Sequence, residues 1–203
     1  MKTTSKRLIV SQIFIIFVLP VILLFFGILS SDWRVVLLAV SFILIYGIIR
    51  YEKWTYEEMG LRHDNFKKSF PFYLFFTILS VVVLFLLDHR TKMPDIETTT
   101  FLTRTLVLFL PVSFFQEFAF RSFLIPRLKA ILRSDHMIIL VNATLFALVH
   151  VIYSNLIIGL PLAFVSGIFF AWLYMKYPNL LLISLAHSAL NVTAVMLGFF
   201  NIS

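Results

Sequence analysis

Long apolar runs joined by short polar connections set the plan of the chain. The first run, Leu8 to Leu29, follows Lys2, Lys6 and Arg7. As a helix rising about 1.5 Å per residue it can cross a hydrocarbon core of about 30 Å. It is too long for a signal peptide and has no small-residue cleavage site after it, so it reads as an uncleaved span. Ser30-Ser31-Asp32 makes a turn, and a second span runs from about Trp33 to Ile49. Arg50–Ser69 is the longest polar connection, and its Trp54, Tyr56, Met59, Leu61 and Phe66 predict a segment lying partly in the membrane interface. Pro71 to Leu87 makes a third span. Thr98–Thr100 supply an N-cap for a fourth and longest helix, which stops near Pro126 and kinks at Pro111. The fifth span covers about His136 to Tyr153. The sixth covers Leu156 to Met175 with Pro161 in its first turns, and the seventh covers about Asn179 to Phe200 after Tyr177-Pro178.

The expected fold class is therefore all-α, a polytopic helical membrane bundle of about seven transmembrane helices. Two parts are expected: residues 1–98 with helices 1–3 and a cytoplasmic loop at 50–70, and residues 99–203 with helices 4–7. Composition agrees. Of 203 residues, 61% are hydrophobic and 13% charged, against about 25% charged in soluble domains. With no Cys, disulfides, thiolate nucleophiles and Cys-bound metals are excluded.

The net charge of +7 raises the question of nucleic acid, but the basic residues map onto membrane orientation instead. With the N-terminus inside, cytoplasmic segments hold Lys2, Lys6, Arg7, Arg50, Lys53, Arg62, Lys67, Lys68, Arg127, Lys129, Arg133 and Lys176, twelve in all. Three (Arg34, Arg90, Lys92) fall outside, and Arg104 and Arg121 lie within the fourth helix. The expected partners are the lipid bilayer and a peptide or protein, with no nucleic acid. The expected location is a bacterial or archaeal plasma membrane, with a C-terminus outside.

One acid, Glu117, lies deep inside an apolar run; the other nine Asp and Glu residues sit at or between the ends of runs. A charge at the centre of a bilayer helix costs about 2.5–3.5 kcal/mol even on the mild insertion scales. Arg121, at i+4, is placed to compensate it on the same helix face. A buried structural ion pair would account for that much. His150 and His187, however, also lie within spans, with Phe146 one turn before the first and Asn191 one turn after the second. Counted at about 1.5 Å per residue, Glu117, His150 and His187 meet in the cytoplasmic half to middle of the bilayer. One convergent site is expected.

A carboxylate, two imidazoles and a carboxamide suit hydrolysis by an activated water, with Glu or His taking the proton and Asn and a protonated His stabilising the oxyanion. Glu117, His150 and His187 also make a possible zinc set. There is no HExxH, and ligands spread over three helices are a weak metal signal; no cofactor is expected, with zinc as the alternative. Ser188 beside His187 cannot form a Ser–His dyad, because adjacent helical positions diverge by about 100°.

In order and spacing, Glu117-x-x-x-Arg121, Phe146-x-x-x-His150 and His187-x-x-x-Asn191 resemble the motifs of the CAAX-protease and bacteriocin-processing (Abi) family of intramembrane endopeptidases. The likeness covers about Phe101 to Val195, and Phe123-Leu124-Ile125-Pro126-Arg127-Leu128 is similar to the family's continuation of its first motif. It implies a helical bundle with a cavity open to the cytoplasm and cleavage of a peptide bond near the membrane. It implies catalytic roles at Gln116, Glu117, Arg121, His150, His187 and Asn191, with Phe146 supporting them. The family pattern begins Glu-Glu and the first Glu is thought to activate the water; here that position is Gln116, and Ser122 stands where Gly is usual. A carboxamide holds a water but cannot accept its proton. Three explanations stay open: an inactive Glu-to-Gln variant of an active protease, a non-catalytic immunity or regulatory protein, or an enzyme in which Glu117 and His150 supply the base. A proton-coupled transporter would also use intramembrane Glu and His, but no inverted repeat or paired broken helices are visible in the sequence.

Overall fold

In lipid every backbone polar group must be satisfied within its own segment, so the apolar runs fold as helices. The computed structural model describes residues 4–87, 103, 105–152 and 156–199, and among them every regular element is helical. We number the helices α1 (Lys6–Phe25), α2 (Arg34–Glu52, entered through a 3₁₀ turn at Ser31–Trp33), α3 (Phe66–Leu87) and α4 (Val107–Ile131). They continue with α5 (Asp135–Leu148, extended by a 3₁₀ turn at Val149–Ile152), α6 (Leu156–Lys176) and α7 (Leu180–Met196). Six of the spans, α1 to α6 with the 3₁₀ turns counted in, are long and apolar enough to cross a membrane. The seventh, α7, has 17 residues, the low end of a spanning length. The chain is a helical integral membrane protein.

The bundle is built around α4. Of its most apolar window 61% is buried, against 11% for the windows of α2 and α3, so the outer helices face lipid and α4 faces protein. The predicted stop near Pro126 is not what the structure shows, since α4 continues to Ile131. The reason lies in its backbone. Phe118–Leu124 is π-helical, and Pro126 follows two residues later. Proline in a helix lacks a donor and its ring strikes the carbonyl four residues back. Here that carbonyl belongs to Ser122, inside a wider turn with i→i+5 bonding, which makes room for the ring. The same pairing occurs at Thr105–Phe109 with Pro111 and at Phe14–Val18 with Pro20. The predicted N-cap at Thr98–Thr100 lies outside the described residues.

The connection from α2 to α3 packs Trp54 and Met59 into one end of the bundle as a plug, while Tyr56 stays exposed. Lys53 takes the left-handed conformation (φ 59°) that ends α2, and the chain turns inward so that Trp54 and Met59 are 8% and 6% exposed. Its polar groups find partners on other elements. The Gly60 carbonyl accepts from Leu180 N at 2.8 Å, and the Met59 carbonyl accepts from Ser122 Oγ at 2.5 Å. Asn65 Nδ2 donates to the Pro178 carbonyl (2.8 Å), and Asn179 Nδ2 donates to the Arg62 carbonyl (2.9 Å). At the solvent side Arg62 pairs with Asp64 at 2.5 Å, and that guanidinium holds the Asp64 carboxyl below its usual range.

A second tie secures the same end. Glu52 accepts from Thr4 Oγ1 and Trp54 Nε1, both at 2.9 Å. Arg127 Nη2 lies 2.9 Å from Glu52 Oε1, a charge contact whose N–H is not aligned as a hydrogen bond. The Arg127 guanidinium sits over the rings of Phe123 (4.8 Å) and Trp54 (5.3 Å), a desolvated setting in which cation–π attraction is strong. The start of α1, the end of α2, the plug and the end of α4 are thereby fastened together.

Candidate active site

The π-helical stretch of α4 carries the first motif, and all seven of its residues are buried. Glu117, just before it, is 0% exposed, as is Arg121. The predicted pair forms: Arg121 Nε lies 3.1 Å from Glu117 Oε2. That contact is charge-to-charge, and Glu117 Oε2 and Arg121 Nε make no aligned hydrogen bond. The other carboxylate oxygen, Oε1, accepts from His187 Nδ1 at 2.7 Å. Glu117 is thus held between a cation on its own helix and an imidazole on α7.

His150 arrives from α5. Its 3₁₀ turn lets Nδ1 donate to the Phe146 carbonyl at 2.8 Å. A donor at Nδ1 fixes the neutral tautomer in which Nε2 carries the lone pair. The Phe146 ring is the hub of the site: its centroid is 4.9 Å from the Arg121 guanidinium, 5.0 Å from the His150 ring and 5.5 Å from the His187 ring. Asn191 donates from Nδ2 to Ser113 Oγ at 3.1 Å. Gln116, half-buried on α4, lines a cavity of about 370 Å³ together with His150 and Asn191. The structure therefore brings the predicted residues to one place. Glu117, Arg121 and His187 bond directly, while Gln116, His150 and Asn191 share a cavity wall.

Two further residues belong to this network. Arg121 Nη1 donates to Asn142 Oδ1 at 2.6 Å, and Asn142 Nδ2 donates to the Phe120 carbonyl at 2.7 Å. Asn142 locks the guanidinium against α5. Ser113, which is fully buried, positions the Asn191 carboxamide. Both are polar residues inside apolar runs; Asn142 precedes His150 by two helical turns and Ser113 precedes Glu117 by one.

Within the zinc alternative, Glu117 Oε1 accepts from His187 Nδ1 and His150 Nδ1 donates to a carbonyl, bonds that engage one nitrogen of each ring. Among the described residues no group of three His, Asp or Glu side chains is placed to hold a metal ion.

The cavity lies at a particular end of the bundle. Its walls are the second half of α1 (Pro20, Val21, Leu24), the first half of α2 (Val35, Leu38) and the first half of α4 (Leu108, Val112), and it reaches Ser31 and Asp32 in the α1–α2 turn. The basic connections and the plug are at the other end. Counting residues along helices gave the depth of the site but not the direction in which the space around it opens. Phe123, Leu124, Leu128 and Met59 are buried at the basic end.

Residues 98–193, the segment that carries these groups, match the family model described as type II CAAX prenyl endopeptidase Rce1-like. The match spans 96 of the 203 residues, and over that segment the chain is similar to this family. No curated protein and no solved structure matches the chain.

Proposed function

We propose that the protein is an intramembrane endopeptidase that hydrolyses a peptide bond with an activated water and no metal. The observation that carries this reading is the Glu117–His187 bond (2.7 Å) beside a cavity lined by Gln116, His150 and Asn191. His150 takes the proton from water at Nε2, because Nδ1 already donates to a carbonyl. Gln116 holds that water by hydrogen bonding but does not accept its proton. His187 works as an imidazolium: Nδ1–H stays on Glu117, and Nε2–H donates to the oxyanion of the tetrahedral intermediate. Asn191 has a second amide N–H for the same oxyanion. The proton held by His150 then passes to the leaving amine, which closes the cycle. Glu117 and Arg121 are positioning residues: the carboxylate offsets the His187 charge, and the guanidinium, locked by Asn142, keeps the carboxylate in place. The substrate is a peptide or protein segment next to the membrane. The end with the basic connections, including the N-terminal segment, faces the cytoplasm.

Purified protein in detergent or liposomes, given a membrane-proximal reporter peptide, is expected to cleave it, and the His150→Ala variant is expected not to. Equal rates for wild type and variant would refute the assignment.

A second reading is favoured by Gln116 itself. With a carboxamide where the family pattern has a Glu, the same cavity would serve a binding or immunity protein that holds a peptide without turnover. In that case wild-type protein retains the reporter peptide, and only the Gln116→Glu variant cuts it.

A further inference from the structure

We propose that the seam between α3 and α6 at the plugged end binds an anionic phospholipid, with Lys68 and Lys176 on its phosphate. The inference goes beyond the endopeptidase reading and does not depend on it.

The seam is held by rings. α3 packs on α7 and α6 packs on α5. Between α3 and α6 themselves, Phe72 stacks on Tyr177 at 4.2 Å, and Phe76 meets Phe169 and Trp172 at 5.9 and 5.5 Å. Tyr73 Oη donates to the Tyr177 carbonyl at 2.8 Å, which fixes the start of α3 against the end of α6. Two cations belong to this platform. Lys176 Nζ lies 5.3 Å from the Trp172 ring centroid and 5.8 Å from that of Tyr177. Lys68 is one turn before Phe72 on the same face of α3, which puts it beside the other ring of the stacked pair. Both lysines are exposed, and among the described residues neither has a carboxylate within ion-pair distance. Asp64, in the connection that leads into α3, is paired with Arg62.

The rings set the depth, and the seam below them sets the occupant. Trp and Tyr gather at the level of lipid headgroups. A lysine there lays its stem on apolar surface and keeps its ammonium among the phosphates. Deeper in, Phe76, Leu79, Val83, Val165 and Phe169 border a cavity of about 210 Å³, and the last four are exposed. His187 and Asn191 form the inner wall of that cavity, and the seam residues form its outer wall. Two cations above an apolar seam suit a ligand with an anionic head and hydrocarbon chains. A free phosphate would use the lysines and leave the seam uncovered; a zwitterionic lipid would set its own cation against Lys68 and Lys176. Basic residues between helices bind anionic headgroups in this way, each contributing about fivefold to affinity.

Trp172 reports on the seam directly. The full chain is reconstituted in phosphatidylcholine vesicles with a minor share of phosphatidylglycerol, carrying bromine on the chains of one lipid or the other. Quenching of Trp172 is read as the difference between wild type and Trp172→Phe, and gives the relative affinity of the two lipids at the seam. Phosphatidylglycerol is expected to be preferred by about 25-fold, the product of two lysines. Lys68→Gln and Lys176→Gln are each expected to lower that preference about fivefold, and the double variant to abolish it. Lys129→Gln, an exposed lysine at the same end on α4, is expected to leave it unchanged. Unfolding temperatures in neutral detergent should match wild type for all of them, which separates loss of the site from loss of the fold. Equal quenching by the two lipids in wild type would overturn the proposal, as would a preference that survives in the double variant. A loss in Lys129→Gln as large as in Lys176→Gln would also overturn it, in favour of diffuse surface charge. Loss of the preference on adding inorganic phosphate at constant ionic strength would replace the lipid with a free anion. No readout involves cleavage, so the endopeptidase reading stands or falls separately.

Discussion

His187 Nδ1 and Glu117 Oε1 meet at 2.7 Å across 70 residues of sequence, and this bond fixes the orientation of the imidazole, with Nε2 turned away from the carboxylate. With Glu117 as its counter-ion, His187 can present Nε2–H to a developing oxyanion. Removing one such donor costs about 10²–10³ in kcat. His187→Gln is expected to show that loss with KM little changed, and Glu117→Gln in the same background should add little. Steady-state kinetics of the two single variants and the double variant check this; simply multiplicative losses would mean that the two residues act independently.

Arg121 depends on Glu117 for more than orientation. Its guanidinium is fully buried, with Asn142 and the Phe146 ring as its other neighbours. Glu117→Ala leaves that charge without its anion, which costs about 3–5 kcal/mol in buried pairs. Thermal unfolding in detergent is expected to shift down sharply for Glu117→Ala and to recover in the Glu117→Ala, Arg121→Met double variant. A double variant no more stable than the single would place the cost elsewhere.

Position 116 decides between the two functional readings. Gln116 lies on the cavity wall with His150 and keeps nearly the shape of a Glu. Gln116→Glu adds a base beside the water, so cleavage is expected to rise by about 10²–10⁴-fold with expression unchanged or slightly lower. The gain should vanish when His150 is also changed to Ala. A wild type already as fast as its Gln116→Glu variant would show that position 116 does not limit the base.

The plug should be intolerant at Gly60. Its φ is 76°, and a Cβ added there would meet the Tyr174 hydroxyl. Left-handed backbone costs about 1–2 kcal/mol for a residue with a Cβ, and forced overpacking adds about 1–3. Gly60→Ala is expected to lower the unfolding temperature and to increase protease sensitivity within 53–65. Wild-type behaviour in both assays would mean that the plug is not a packed element.

Metal independence is open to a direct test. Chelators such as 1,10-phenanthroline are expected to leave cleavage unchanged, and elemental analysis to find less than one zinc per chain. One tightly bound zinc per chain would bring back the set Glu117, His150 and His187.

Much of the site was legible because charge is rare inside apolar runs. Glu117, His150 and His187 stood out for that reason, and regular helical rise placed them at one depth. Asn142 and Ser113 did not stand out, since a lone Asn or Ser in a span satisfies itself in many ways and neither carries a charge. The inward packing of the plug was not legible for a different reason. Trp54, Met59 and Leu61 have no helical or strand period, so their apolar character could be assigned to lipid as easily as to protein. The continuation of α4 past Pro126 was hidden because a proline's effect depends on the turn before it, and sequence spacing does not show π-helical backbone.

The π-helical stretch Phe118–Leu124 works as a phase shifter between two halves of one helix. Each residue advances an α-helix by about 100°, and a π turn absorbs an extra residue without breaking the helix. Glu117 before it faces His187, and Arg127 after it faces Glu52. If all seven residues of the stretch took the α form instead, everything beyond it would rotate by about one residue's angle. The chain could keep its chemistry at Glu117 or its fastening at Arg127, but not both. The reading frame of that helix, as much as the identity of its side chains, joins the reactive centre to the end that closes it.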